Sequence, residues 1–555
     1  MAVAFMRKLE EEPETYDSKF TSLTKGVNVN VHDWVLDQIQ SDQSILEIGS
    51  GTGLLASKMV LKGNIVVAID NNIQMINYAK QNYSDNLENG ALLYRLGSFT
   101  DLPVEDRSLD LIVSTFLLSE LRPLEQQIFL RNAWKALKPN GRLILAAEFV
   151  PSGFWKVSFK IRRWWFKKKL HRLRLKSTFL VKWFFNYIEP IGFKIGNQKK
   201  WKHGSIQAIE LLKIKDNGED EPDYYRPKTK KFKGLVSQLR IYRCLFTGQI
   251  DRVPIEPGIY KSGNPNKNSP IIVTANYEYT YIKLMRDLQC IDAWVLCLDS
   301  NGINVWCAAR GDDFGNKQLL EAIEATDVQV VSEKKTLILP QLSAGGVAIP
   351  QLPEKFPFKV KYGPVWSKDL NQFLSERPVR KPDSMKLAKF TLSHRIRAGI
   401  THTTFLFRKI FLIPIIAILL SFIALNNVAI ICWLGELVIW IVLSNVIISI
   451  FFPLSKFTSK FIAKAVFFGC FSIFFIGAIS WIFHNSYLYL VLNFAIYFWI
   501  TFFSTMSFSG YTMSTSPKEI QAEYPVFRKI NLTLIILVVI LLGINIIFFM
   551  LNIIK

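Results

Sequence analysis

Five long apolar segments close the chain, at 405–425, 428–452, 461–483, 488–507 and 531–552. Each has about 20 residues or more, enough to cross ~30 Å of hydrocarbon as a helix. Ahead of them the apolar positions come in short runs. Ser44–Ile48 and Ile65–Ile69 each lead into a stretch of helical period, and further helices are predicted at 31–39 and 54–61. Between 235 and 380, strand-like runs at 271–274, 293–296, 328–330, 336–339 and 359–360 alternate with helical patterns at 279–289 and 317–325. Such alternation predicts an α/β layered domain around a mostly parallel sheet. Residues 1–28 are polar and expected to be loosely ordered. Residues 216–233 have no apolar period, are punctuated by Gly218, Pro222 and Pro227, and read as a linker. The predicted order is therefore an α/β domain at 1–215, a linker at 216–233, a second α/β domain at 234–382 and an all-α membrane domain at 383–555.

Charge sharpens this division. With 67 Lys and Arg against 45 Asp and Glu, the net charge is +22, an excess that implies nucleic acid, anionic lipid or acidic ligands. Lys386, Lys389, Arg395, Arg397 and Arg408 approach the first apolar segment, and Lys456, Lys460, Lys518, Arg528 and Lys529 lie in the second and fourth loops. The first and third loops, around Asn426 and Asn485, have no Lys or Arg. The positive-inside rule then predicts a multi-pass plasma-membrane protein with cytoplasmic N-terminal domains and an external C-terminus. The opening 15 residues are too polar and charged for a signal peptide. Six Cys, at 244, 290, 297, 307, 432 and 470, show no CxxC spacing, so neither a disulfide framework, a zinc site nor an internal iron–sulfur module is expected.

The first candidate site is Ser44-Ile-Leu-Glu-Ile-Gly-Ser-Gly-Thr-Gly53, a strand running into Gly49, Gly51 and Gly53 ahead of a helix. A second strand ends in Asp70, about 20 residues on, where an acid meets ribose hydroxyls. A dinucleotide and S-adenosylmethionine both fit that logic. The Glu47-x-Gly-x-Gly-x-Gly form resembles the class I S-adenosylmethionine-dependent methyltransferases, as do Gly97–Pro103, Ser108–Val113 and Leu137–Leu143. The resemblance covers about 16–215 and implies a Rossmann-like fold. It also implies cofactor binding by Glu47, Gly49, Gly51, Gly53 and Asp70, with Ser98 and Phe99 on the adenine side. No general base is assigned; Glu120 and Glu148 fall near the expected substrate side but read as polar residues at element ends. Residues 155–182 depart from that family. Eleven Lys and Arg interleave with Trp155, Phe159, Trp164, Trp165 and Phe166. The pattern suits an anionic bilayer, a nucleic-acid strand or a solvated basic helix, and the chain's own spans favour the bilayer.

The second candidate site is Gly302–Gly315, between the apolar run at 293–298 and a predicted helix. On pattern alone it is a packed strand-to-helix connection with a buried Cys, or a backbone that approaches a planar or anionic cofactor. Asn304-Val-Trp-Cys-Ala-Ala309 then resembles the cap-helix signature of the mercury-methylating corrinoid proteins of the HgcA type. Pro257–Tyr260, Gly263–Pro265, Val273–Tyr277, Asp292–Val295, Pro340–Leu342 and Tyr362–Val365 resemble the same family in the same order. The resemblance covers about 254–555. It implies a corrinoid (cobalamin-type) cofactor with Cys307 as the lower axial ligand of cobalt and catalytic residue. Asn304, Val305, Trp306, Ala308 and Ala309 would line that cofactor. Arg310-Gly311 stands where the family has Gly-Lys, and Asp312 and Asp313 add negative charge. A thiolate is a soft, strongly donating ligand, and the family's named acceptor is mercury(II). Reduction of cobalt requires a separate low-potential donor, a ferredoxin-like iron–sulfur protein.

The resulting expectation is a membrane-anchored, corrinoid-dependent methyltransferase that passes a methyl group to a soft metal or small-molecule acceptor, with the S-adenosylmethionine domain as methyl source. The alternative is a membrane-tethered S-adenosylmethionine methyltransferase acting on a lipid or quinone, with the second domain only a corrinoid-binding module. Membrane lipid is an expected partner, nucleic acid ranks last, and Glu436, inside the second apolar segment, marks a candidate intramembrane site.

Overall fold

The computed structural model describes residues 9–83, 90–172, 178, 179, 181–214, 228, 229, 235, 239, 242, 254–289, 291–311, 313–354, 356–375, 381–406, 428–482, 487–511 and 517–551. The first unit contains α1 (Pro13–Thr24), α2 (Val27–Asp37), β1 (Ser44–Ile48), α3 (Leu54–Leu61), β2 (Ile65–Asp70), α4 (Ile73–Asn82), β3 (Leu92–Leu96) and β4 (Leu109–Thr115). It continues with α5 (Pro123–Ala136), β5 (Leu137–Glu148), α6 (Trp155–Arg172), α7 (Phe185–Ile191), β6 (Phe193–Trp201) and β7 (Ile206–Lys213). The strand order is β3-β2-β1-β4-β5-β7-β6. β1 to β5 pair in parallel, and β7 is antiparallel to both β5 and β6. Ile45, Leu46 and Ile48 are all buried because both faces of β1 are covered, as a central parallel strand requires. The order reverses between β1 and β4, which opens a crevice at their C-terminal ends.

The second unit holds β8 (Lys228–Thr229), β9 (Gly258–Ser262), β10 (Ile271–Ala275), α8 (Glu278–Asp287), β11 (Ala293–Leu298), α9 (Val305–Arg310) and α10 (Asn316–Thr326). After these come α11 (Val328–Val331), β12 (Thr336–Leu339), β13 (Lys359–Tyr362) and α12 (Leu370–Ser375). Its sheet runs β13-β12-β10-β11-β9-β8, parallel from β13 to β11, with β9 antiparallel to β11. Both α/β folds follow the sequence.

Two local expectations fail, and a third falls mostly outside the described residues. Pro13–Thr24 is a helix, not loose chain: it buries Pro13, Phe20 and Thr24 against the first unit. Val328–Val331 is a helical turn rather than a strand, because Asp327, in the left-handed region at φ 47, turns the chain immediately after α10. The rest of the predicted linker lies outside the described residues, but its Lys228–Thr229 pair joins the sheet in parallel beside β9.

The C-terminal part adds α13 (Asp383–Lys386), α14 (Leu392–Leu406), α15 (Val428–Phe451), α16 (Phe461–Ile482), α17 (Tyr487–Tyr511) and α18 (Pro517–Met550). Among the described residues, four helices are long and apolar enough to span a membrane. The first predicted span, 405–425, lies almost wholly outside the described residues. Trp433 Nε1 donates to Asn493 Oδ1 (2.7 Å), and Asn493 Nδ2 to Asn545 Oδ1 (3.2 Å), so a buried polar chain ties α15, α17 and α18 together.

Candidate functional site

The crevice of the first sheet is a cavity of ≈ 230 Å³ whose lining includes Glu47, Gly49, Ser50, Gly51, Asp70, Ser98 and Phe99. The glycine loop is shaped by its own backbone. Gly53 has φ +80, and a Cβ there would lie 2.8 Å from Tyr94 Cζ and 2.9 Å from Ala79 Cβ, so no other residue fits without displacement. Gly51 N donates to Asp70 Oδ2 (2.9 Å) and Asn72 N to Asp70 Oδ1 (2.8 Å), which clamps the loop to the end of β2. Burial raises the Asp70 pKa, and these backbone donors oppose the rise.

Glu47 is buried at the end of β1. Burial, and then the charge of Asp70, push its carboxyl well above the usual range. Among the described residues, Glu47 Oε2 and Ser50 Oγ have no hydrogen-bond partner although both are buried. Two such atoms on one cavity lining match a ligand that carries an ammonium group and further polar groups.

Glu120, which the sequence placed near the substrate side, is part of the lining; the other lining residues from α1, α2 and α5 the sequence did not disclose. Tyr16, Asp17, Asn28 and His32 come from α1 and α2, while Glu120 and Glu125 come from the chain after β4. Thr52 Oγ1 donates to Asp17 Oδ2 (2.8 Å), which fastens α1 to the glycine loop. Burial holds His32 down to about 4, so it is neutral at pH 7. Glu148, by contrast, is absent from that lining: it is fully buried and ion-paired with Arg163 of α6.

In the second unit, Cys307 sits half-exposed in the first turn of α9. Asn304 caps this helix. Its Oδ1 accepts from Cys307 N (2.9 Å), and its Nδ2 lies 3.4 Å from Cys307 Sγ. Val305, Ala308 and Ala309 are buried beneath the turn. Arg310 lays its guanidinium over the Trp306 ring, 4.8 Å from the centroid. The loop ahead is fixed by Asn276 at the end of β10, whose Oδ1 accepts from Ser300 N (2.9 Å) and Gly302 N (3.0 Å). Asn276 Nδ2 donates to Asp299 Oδ1 (3.0 Å).

Residues 46–145 match a methyltransferase domain. Residues 228–368 match the CO dehydrogenase/acetyl-CoA synthase delta subunit. The gamma subunit of the acetyl-CoA decarbonylase/synthase complex of Methanopyrus kandleri is 34% identical over 112 residues, 20% of this chain and 24% of that protein. The corresponding subunit of Methanocaldococcus jannaschii is 30% identical over 112 residues, covering 20% and 23%. This chain thus spans about a quarter of the length of these curated relatives. Among solved structures, a Methanosarcina mazei S-adenosylmethionine-dependent methyltransferase is 18% identical, with a TM-score of 0.27 over 33% of this chain and 97% of that one. By its family model the first unit carries a methyltransferase domain, fused in one chain to a unit that matches the CO dehydrogenase/acetyl-CoA synthase delta subunit.

The methyltransferase domain and its neighbour share an interface beside both sites. Leu124 and Ile128 of α5 belong to the buried core of the second domain, and Phe99, on the cavity lining, packs against it as well. Arg122 Nη2 donates to both carboxylate oxygens of Glu321 on α10, at 2.5 and 2.7 Å. Arg131 Nη1 donates to Glu324 O (2.6 Å). Asp299, at the foot of the Cys307 loop, is pushed up by burial and pulled back first by the charge of Arg122.

Proposed function

We propose that the chain is a membrane-anchored, corrinoid-dependent methyltransferase in which S-adenosylmethionine bound by the first domain is the methyl source and a soft species is the acceptor, mercury(II) being the named candidate. One observation carries this reading: Arg122, which lies in the chain between the cavity-lining residues Leu121 and Glu125, is paired with Glu321 of the second domain, and its charge lowers the pKa of Asp299 beneath the Cys307 loop. A fusion that only shared a membrane anchor would not need Leu124 and Ile128 of α5 in the second domain's core, with Phe99 of the cavity lining packed against it.

In this reading Glu47 and Ser50 hold the polar end of S-adenosylmethionine, Asp70 the ribose side, and Ser98 and Phe99 the adenine. Catalysis by these residues is positioning and exclusion of water around a sulfonium that is already reactive. Cys307 would hold the corrinoid through its sulfur, with Asn304, Val305, Trp306, Ala308 and Ala309 around it. The fit rests on the half-exposed sulfur, fixed by Asn304 on a turn with a buried apolar underside. A bound corrinoid would supply a cobalt centre, to which the Cys307 thiolate would be a soft donor. Arg310, stacked on Trp306, keeps the motif's extra positive charge beside the turn.

The test is the anaerobic absorption spectrum of the full chain reconstituted with cobalamin, for wild type and Cys307→Ala, followed by methyl-labelled S-adenosylmethionine. A cobalt–thiolate spectrum lost in the variant, with label reaching the corrinoid only in wild type, is expected. No bound corrinoid in either protein sinks the reading. Labelled transfer to extracted lipid or quinone, unchanged in Cys307→Ala, would favour the membrane-tethered alternative.

A further inference from the structure

Helix α6 has two opposed faces. Phe159 and Arg163, one turn apart, point inward and are buried. The Arg163 guanidinium pairs with buried Glu148 and donates to Thr178 O (2.6 Å) and Phe179 O (3.1 Å), so the rotation of the helix about its axis is fixed. On the opposite side Val157, Ile161, Trp164 and Trp165 follow the i, i+4, i+7, i+8 rule of a single helical face. They are 58, 54, 52 and 67% exposed. Lys156 and Lys160 flank this stripe on one side and Arg162 on the other, and all three are exposed. Phe154, just before the helix, is 81% exposed.

A solvated basic helix does not need two outward tryptophans and two outward β-branched residues in one row. A protein-docking stripe would be poorer in flanking cations. Apolar side chains in the middle, Trp among them, and Lys and Arg at the margins are the arrangement of a helix lying in the headgroup layer of an anionic bilayer. The same chain carries four candidate membrane-spanning helices, so such a surface is always within its reach.

We infer that the outer face of α6 docks the methyltransferase domain onto the anionic lipid surface of the membrane that the C-terminal helices span. The helix follows the C-terminal end of β5, the edge of the sheet that carries the cavity. Phe179 N, beside the α6 anchor, donates to Ser119 O (2.7 Å) in the short turn after β4. Docking therefore fixes the orientation of the methyltransferase cavity to the bilayer.

The test uses the full chain in nanodiscs of phosphatidylcholine alone, or with about one-third phosphatidylserine, followed by hydrogen–deuterium exchange of the peptide covering 155–166. Exchange slowed by about tenfold or more in the anionic discs is expected, with each basic residue removed from the margin weakening the effect by about fivefold. Trp164→Glu with Trp165→Glu should abolish the protection and leave S-adenosylmethionine affinity unchanged, which shows that the domain is still folded. Equal exchange in anionic discs, neutral discs and detergent overturns the proposal. So does protection by a single-stranded RNA oligomer that phosphatidylserine does not reproduce, which would assign the face to nucleic acid.

Discussion

Arg122→Ala should loosen the two α/β domains from each other by a predictable amount. The side chains of Arg122 and Glu321 are 9 and 12% exposed. Removing one member of such a pair leaves the other charge buried, at about 3–5 kcal/mol. Lys317 Nζ lies 3.6 Å from Glu321 and keeps part of the attraction, which puts the expected loss at the lower end, about 3 kcal/mol. The pair itself is not a net gain. Burial pushes the Glu321 carboxyl up, and Arg122 is only the largest opposing pull. Replacing both partners by apolar residues, Arg122→Met with Glu321→Leu, should then be neutral or stabilising, since the neighbouring Leu124 and Ile128 already form an apolar seam.

The assay is thermal unfolding of the purified full chain in detergent. A unit of this size shifts by about 2–4 °C per kcal/mol, so Arg122→Ala should lower the transition of the α/β domains by about 6–12 °C. The double variant should unfold within about 3 °C of wild type or above it. pH gives an independent check. A carboxyl whose folded pKa is raised binds its proton more tightly in the native state than in the unfolded one. Its penalty is absent below the ordinary glutamate range and grows as pH rises through the raised value. The advantage of the double variant over wild type should grow in the same direction. A single variant that unfolds within about 1 °C of wild type, or a double variant as unstable as the sum of the singles, would refute the reasoning.

Gly53→Ala places a methyl group against Tyr94 and Ala79 at φ +80; it should cost about 1–3 kcal/mol of stability and abolish S-adenosylmethionine binding, read by calorimetric titration. Because burial raises Glu47, the affinity of the wild type for S-adenosylmethionine should fall on acidification already above the ordinary glutamate range, as the carboxylate that would meet the ligand's ammonium group takes up its proton. Glu47→Gln should bind about 10- to 100-fold more weakly at pH 8 and lose most of that pH dependence. Among the C-terminal helices, Glu436 accepts from the hydroxyls of Tyr489 and Tyr497. Glu436→Ala should destabilise the bundle in detergent by about 1–3 kcal/mol per stranded hydroxyl, whereas Glu436→Gln, which keeps an acceptor, should stay close to wild type.

The parts of the molecule that were legible in the sequence are those whose chemistry is local. Glu47, the three glycines and Asp70 occupy one strand–loop–helix–strand stretch, and the loop needs its glycines for backbone reasons that neighbours in sequence already reveal. Asn304 and Cys307 are legible for the same cause, since a cap and its first turn lie within four residues. Pro13–Thr24 was not legible: only Pro13, Phe20 and Thr24 are buried, too few to give a helical period, and the helix is held by α2, α4, Phe116 and the Asp17–Thr52 hydrogen bond. Its contributions to the cavity, Tyr16 and Asp17, were lost with it. Val328–Val331 misled because a short β-branched run reads as a strand wherever it falls, and the left-handed Asp327 that turns the chain leaves no mark in the apolar pattern.

The contact between the two domains left a signal of a different kind. A helix packed on the face of an α/β sheet needs one apolar stripe, and α5 has it in Phe129, Leu130, Ala133 and Trp134, which join the first domain's core. The same helix carries a second stripe, Leu124 and Ile128, with Arg131 at the next turn. That stripe has no use inside its own domain. Two apolar faces on a helix that should show solvent one of them predict that something covers the other. The sequence could not say what, because the cover is α10, some 200 residues away, and its matching charges, Glu321 and Glu324, sit in an ordinary amphipathic pattern. The outer face of α6 presents the same problem one level up: Val157, Ile161, Trp164 and Trp165 form a stripe of which each member is more than half exposed. In α5 the unexplained stripe found its cover within the protein. In α6 the flanking Lys156, Lys160 and Arg162 point to an anionic surface outside it.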